Sequence, residues 1–180
     1  MCQQAPPTYG NMNFMNSAVK TIAGAAGKPF QKLKLPQKVL REGFENPSLA
    51  RRLFNLWPPL LGAGVRITHI ADDWSAGRLE LNLRWWNRNM HGAGFGGTLF
   101  SMTDVLFGTL VMGRLGSDYE AWTRTGTFQY LSPGRRGAYL DVEVTDELLA
   151  WMKEVVAEDG YCNVPYTSVI YNKDGSVAEW

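Results

Sequence analysis

Residues 92–113 read GAGFGGTLFSMTDVLFGTLVMG, and the fold turns on what this stretch does. After the glycine-rich entry Gly92-Ala93-Gly94-Phe95-Gly96-Gly97, apolar residues recur without a polar face: Leu99, Phe100, Met102, Val105, Leu106, Phe107, Leu110, Val111 and Met112. A helix that is apolar all round is a buried one. The run contains Asp104 and is too short to span a bilayer, so it is expected inside a domain rather than in a membrane.

The flanking segments have a different period. Upstream, Val65, Ile67 and His69 alternate with Arg66, Thr68 and Ile70. After a turn over Trp74 to Gly77, Leu79, Leu81, Leu83 and Trp85 alternate with polar partners. Alternation of this kind predicts two half-buried strands. Downstream, Trp122 to Leu131 carries Thr123, Thr125 and Thr127 on one face, and the loop Ser132-Pro133-Gly134-Arg135-Arg136-Gly137 leads to a strand from Ala138 to Val144, which together predict a hairpin. Asp146 to Ala157 reads as an amphipathic helix with Leu148, Leu149, Met152, Val155 and Val156 inward. Val164 to Tyr171 resumes strand character with Pro165 marking an edge or bulge, and Val177 to Trp180 is a strand stub. Asn46-Pro47 reads as an N-cap with proline at the first helical position, opening a short helix through Leu49, Leu53 and Phe54 that Trp57-Pro58-Pro59 stops. The sum is α+β: a mainly antiparallel sheet wrapped on one long buried helix, with an N-terminal helix and an added amphipathic helix.

The chain has 180 residues, a length that suits one domain plus a short segment. Residues 1–45, with Pro6, Pro7 and the basic stretch Lys32, Lys34, Lys38 and Arg41, read as a partly flexible arm ahead of a domain over 46–180. Eighteen basic residues against 17 acidic leave a net charge of +1, so no whole-molecule field draws nucleic acid or anionic lipid, and any anionic partner must be met locally. Cys2 and Cys162, with only His69 and His91 beside them, suit neither a disulfide framework nor a metal site. The N-terminus lacks the apolar core of a secretory signal. A cytoplasmic protein with no nucleic-acid or membrane partner is the expectation.

Asp104 is the only formally charged side chain between Asn89 and Gly113. Its helical neighbours Phe100, Ser101, Phe107 and Gly108 include no base. Two readings stand: an acid kept among apolar residues for chemistry, or one satisfied by hydroxyls such as that of Thr103 or by water. Gly94, Gly96 and Gly97 lie at the helix start, where the first N–H groups lack intrahelical acceptors and can hold an oxyanion; a turn allowing tight packing is the other reading. Gly96 and Asp104 stand about 12 Å apart along one helix, so one copy cannot bracket one carbonyl. A two-fold dimer with antiparallel central helices would bring Asp104 of one protomer to the Gly96 end of its partner.

The segment from Asn89 to Asp104, with its His91-Gly92-Ala93-Gly94-Phe95-Gly96-Gly97 lead, resembles the hotdog-fold thioesterases of the phenylacetic-acid-pathway type, as does Phe128 to Gly137. Closer still, Phe54-Asn55-Leu56-Trp57-Pro58-Pro59, Arg84-Trp85-Trp86-Asn87-Arg88-Asn89, and Phe95-Gly96-Gly97 with Met102-Thr103-Asp104 resemble a hotdog branch described only as a domain of unknown function. The resemblance covers about residues 46 to 180. It implies Asp104 as general base or nucleophile toward an acyl-coenzyme A thioester, Gly96 as the backbone donor to its carbonyl, and Asn89 as a polar group that positions water or thioester. The helix-start histidine of the better-known enzymes is Phe95 here, with His91 and Gly97 nearby. Coenzyme A enters as part of the substrate, with no metal or other cofactor, and its phosphates call for Arg135, Arg136 or Arg88. Thr123 or Thr125 can send a hydroxyl to the site from the following strand. A homodimer or a dimer of dimers is implied. A non-catalytic acyl or coenzyme A binder is the alternative, motivated by Phe95. A dehydratase relying on His91 is a further one.

Overall fold

The computed structural model describes residues 16–24, 43, 45–116 and 118–178. The basic stretch from Lys32 to Arg41, Cys2 and the end of the expected last strand at Trp180 lie outside them. In chain order the elements are β1 (Asn16–Gly24), α1 (Pro47–Leu56), α2 (Pro58–Ala63), β2 (Val65–Ile70), β3 (Ala76–Leu81), α3 (Gly96–Leu115), β4 (Tyr119–Phe128), β5 (Tyr139–Glu143), α4 (Asp146–Asp159), β6 (Tyr161–Thr167) and β7 (Ile170–Tyr171).

The predicted caps form. The Asn46 side chain accepts from the Leu49 N–H with Pro47 behind it, and Thr145 caps α4 by accepting from Leu148 N–H. Pro58 and Pro59 end α1 as expected. They also open α2, because a proline in a first turn gives up an N–H that has no partner there anyway. The period-two reading of β2 holds only to Ile67. A register shift between Ile67 and His69 turns the inward face from Val65 and Ile67 to Ile70, leaving His69 exposed. β3 stops at Leu81, so Trp85 leaves the strand alternation for a turn and is 83% exposed.

The antiparallel ladders run β2-β3-β5-β7 and β4-β1-β6. β4 and β5 are therefore not the hairpin expected from the turn residues between them. The connecting segment leaves one ladder for the other past the start of the central helix α3. It is held there by Gly94 N–H to Gly134 C=O and Gly137 N–H to Leu81 C=O, both 2.8 Å. Turn chemistry reported a change of direction, and partner choice was settled by the packing on α3. Residues 16–24, inside the segment read as an arm, form β1 between β4 and β6, with Ile22 fully buried. β6 pairs with β1 on one side, an edge position that tolerates Pro165.

The core gathers on α3 through Met102, Leu106, Leu110 and Val111, all fully buried, facing Ile67, Leu79, Leu140 and Val164. From Leu106 to Val111 the helix is buried on all sides. Trp74 lies flat against it at Gly113, where an added Cβ would meet the indole at 2.2 Å. Arg114 in its last turn donates to Val144 C=O at 2.6 Å and pairs with Asp146 at the start of α4, so the two helix ends of opposite partial charge are tied together. The N-terminal half departs from the all-round burial expected: Gly97, Phe100 and Asp104 are exposed and Ser101 half-buried. Their three- and four-residue spacing makes one open stripe. Apolar composition alone could not separate this face, because its only apolar member is Phe100.

Asn87 joins these parts. Its buried side chain accepts from Arg84 N–H at 2.6 Å and donates to Ala63 C=O at 2.8 Å and Asn82 C=O at 3.1 Å, while its carbonyl accepts from Phe95 N–H at 3.0 Å. Replacing Asn87 by Ala leaves buried backbone groups unsatisfied and is expected to cost about 1–3 kcal/mol. Urea unfolding followed by circular dichroism measures it, and an unchanged midpoint would refute the role.

Candidate functional site

The open stripe of α3 faces β4 across a cleft of about 350 Å³, lined by Gly97, Phe100, Ser101, Thr103, Asp104, Thr123 and Gly126. Asp104 sits here because two turns of helix separate it from the Gly97 end, which puts both on the stripe. Thr123 reaches it across the gap: its Oγ1 donates to Asp104 Oδ1. Of the two readings open for Asp104, the hydroxyl partner is therefore present, but it belongs to Thr123 and the carboxyl is exposed rather than enclosed by apolar side chains.

A bulge in β4 brings Thr123 to this place. In the register with β1, Lys20 lies opposite Thr123 and Val19 opposite Thr125, so Arg124 is the extra residue. The three threonines consequently do not present one continuous face. Thr123 and Gly126, an odd number apart, line the cleft, and Thr125 does not. The absent Cβ of Gly126 admits the Phe100 ring, which a methyl would meet at 2.9 Å. Phe100 in turn packs edge-on against Phe128, with ring centroids 5.7 Å apart.

Beneath the stripe, Tyr166 stacks on Phe107 at 4.3 Å and its hydroxyl donates to Thr103 C=O. Burial, with the Asp104 charge adding to it, pushes the Tyr166 phenol well above its ordinary range, so it stays a neutral donor. Sequence reading missed Tyr166, Ser101 and Gly126. Only Ser101, three residues before Asp104 on a helix, carried a signal that could have found it.

Phe95 is the N-cap residue of α3 and Gly96 its first helical residue, with no side chain capping the end. Tyr130 lies over Gly96, 2.9 Å from where a Cβ would stand, and the Phe95 ring lies over Gly97 at 2.6 Å on the same measure. Asn89 is half-buried and braces its own loop: Oδ1 accepts from His91 N–H at 2.9 Å and Ala93 N–H at 3.1 Å, and Nδ2 donates to Gly94 C=O. His91 and Arg135 line a second cleft of about 340 Å³ with Leu83, Gly92, Ala93 and Pro133. Arg136 donates to Leu83 C=O at 2.9 Å, and Arg88 is exposed on the strand-like bridge to Gly94. The structure thus brings Asp104, Thr123 and Gly97 into one cleft and His91 with Arg135 into another.

The profile of a family described as a domain of unknown function (DUF4442) matches residues 47–178, and the chain belongs to that family. No curated protein matches it. Among solved structures it is similar to a Pseudomonas aeruginosa protein of unknown function called a probable thioesterase: 17% identity, 73% of this chain and 88% of the other covered, TM-score 0.64. A point mutant of the phenylacetic acid degradation protein PaaI from Thermus thermophilus also matches, at 20% identity over 49% of this chain and 76% of the other, with a TM-score of 0.37. The fold is the hotdog fold, an antiparallel sheet around a central helix, as the sequence resemblance implied.

Cys162 is buried, and burial pushes its thiol up to about 11, so it is no nucleophile at neutral pH. A Cys2→Ser variant, in which Cys162 is the only thiol, is expected to react with an aromatic disulfide reagent at pH 8 only after unfolding. Rapid labelling of the folded protein would contradict this burial.

Proposed function

We propose that this protein hydrolyses acyl-coenzyme A thioesters, with Asp104 as the base that activates water, or as the nucleophile, and the Gly96 backbone N–H as the donor to the thioester oxygen. The observation that carries the reading is the Asp104 carboxylate held by Thr123 Oγ1 on the open stripe of the central helix, in the same cleft as Gly97. The Thr123 hydroxyl fixes the orientation of the Asp104 carboxylate at the cleft, and the first turn of α3 supplies N–H groups and a dipole suited to developing negative charge.

The two parts lie about 12 Å apart on one helix, more than one carbonyl can bridge. The proposal therefore includes a homodimer in which each protomer's Asp104 meets its partner's Gly96. The exposed rings of Phe95 and Phe100 at the stripe support such a contact, since apolar rings at an open cleft are better covered than wet. Covering the cleft would also remove water from around the reacting groups. Arg135, with its side of the second cleft open, is the better placed arginine for a phosphate of coenzyme A, because Arg136 is engaged with the Leu83 carbonyl. The soluble cytoplasm is the proposed setting, as its pool of coenzyme A esters would supply the substrate.

One observation favours a second reading, a binder without turnover. The Phe95 ring covers Gly97 where the better-known enzymes resembled here have a histidine donor. Such a protein would bind acyl-coenzyme A and release no thiol.

Asp104→Asn is expected to lower thiol release from an acyl-coenzyme A panel about 10²–10⁴-fold. Gly96→Pro in a Tyr130→Ala background, which clears the ring that an added Cβ would meet at 2.9 Å, deletes one donor at a position where helices accept proline and is expected to cost about 10²–10³-fold relative to Tyr130→Ala alone. If the site is shared across a two-fold axis, mixing the two inactive chains restores about a quarter of wild-type turnover, since half the dimers form and each carries one intact site. No thiol release from the wild-type chain despite binding would establish the second reading instead.

A further inference from the structure

Away from the cleft, α1, α2 and the turn after β3 form one exposed apolar surface. Trp57, the N-cap residue of α2, and Leu61 stand one turn apart, Leu61 N–H donating to Trp57 C=O at 3.0 Å. Trp86 joins the patch by donating its indole N–H to Gly62 C=O at 3.0 Å, and Trp85 packs edge-on against it with ring centroids 5.5 Å apart. All four are exposed, as is Leu56 at 70%. An indole with its ring in an apolar layer and its N–H on a polar group is the arrangement favoured at a membrane–water interface.

The segments that build this surface carry charge of one sign. Between residues 46 and 64, and again between 81 and 103, there is no Asp or Glu, while Arg51, Arg52, Arg84 and Arg88 are all present; Arg66 on β2, by contrast, lies opposite Glu80 of β3. Arg52 lies one turn before Leu56 on α1, and Arg84 and Arg88 flank the tryptophan pair; all three are exposed. A two-fold contact of this surface with a second copy would set arginine against arginine without an acid to answer it. An apolar surface ringed by cations fits an anionic lipid headgroup layer, where rings enter the interface and arginines meet phosphates.

We propose that this face docks the protein onto the surface of an anionic bilayer. The expectation of no membrane partner rested on a net charge of +1, which leaves an anionic partner to be met locally as these arginines would, and on the lack of a spanning segment; no helix among the described residues is long and apolar enough to cross a membrane. Surface docking needs no such helix. The proposal is independent of any hydrolytic activity, although it would bring the cleft within reach of acyl chains.

The test is co-sedimentation of the full chain with vesicles of phosphatidylcholine alone and with phosphatidylglycerol added. Binding is expected only to the mixed vesicles, falling steeply with added salt. A Trp57→Ala/Trp85→Ala double variant, at exposed positions that leave the fold intact, is expected to lose at least about tenfold in partitioning. Arg84→Gln is expected to lose about fivefold. Absence of wild-type binding, equal binding to neutral vesicles, or full binding by the double variant would overturn the proposal. So would sedimentation velocity showing that the double variant abolishes a self-association while wild-type chain ignores vesicles, which would assign the face to a second copy.

Discussion

The packing of one flank of the central helix against the sheet is the constraint on which the rest depends. Met102, Leu106 and Leu110 recur four residues apart and are fully buried, so the rotation of α3 about its axis is set by the need to keep all three dry. Asp104 lies two residues from Met102 and from Leu106, about 200° away around the helix by the 3.6-residue repeat. Burying the one row turns the other outward. The acid reaches the cleft facing β4 as a geometric consequence of core packing, without a cost for enclosing its charge.

Much of this was legible in the sequence, for physical reasons that differ between elements. Caps at Asn46 and Thr145 are local, formed by side chains bonding the backbone three residues on, and needed no tertiary information. The long apolar run of α3 is equally plain. Failures came where a distant partner decided the outcome. His69 turned outward because β2 bulges against β3, and Thr125 parted from Thr123 because β4 bulges against β1; neither bulge has a marker in its own strand. β4 and β5 carry every local sign of a hairpin, but their intervening loop is bonded to the chain just before α3 and to the end of β3, which sends them to different ladders.

The acid of the candidate cleft stood out in the sequence, but its environment was misread. Asp104 stood out as a lone charge in an apolar run, and the sequence alone suggested an enclosed carboxyl. In the structure it is open and held by a threonine 19 residues later, a pairing that depends on the extra residue Arg124. Asn89 shows the converse. Its position beside the glycines invited a chemical role, while both ends of its amide hold its own loop in shape. An amide in that position acts on the helix start by fixing the path from Asn89 to Gly94, whatever else it contacts.

Charge placement links the two surfaces. Asp104 is the only acidic residue between Glu80 and Asp118, a stretch that runs from the end of β3 through the tryptophan turn and the whole central helix. An anionic molecule approaching along this stretch meets arginines at 84 and 88, the partial positive end of α3, and then a single carboxylate. Any second acid here would repel a phosphate-bearing substrate and an anionic lipid layer alike. One carboxylate is the minimum that base or nucleophilic catalysis requires, so the depletion of acids elsewhere in the stretch fits both the proposed thioester chemistry and the proposed docking face through the same electrostatic term.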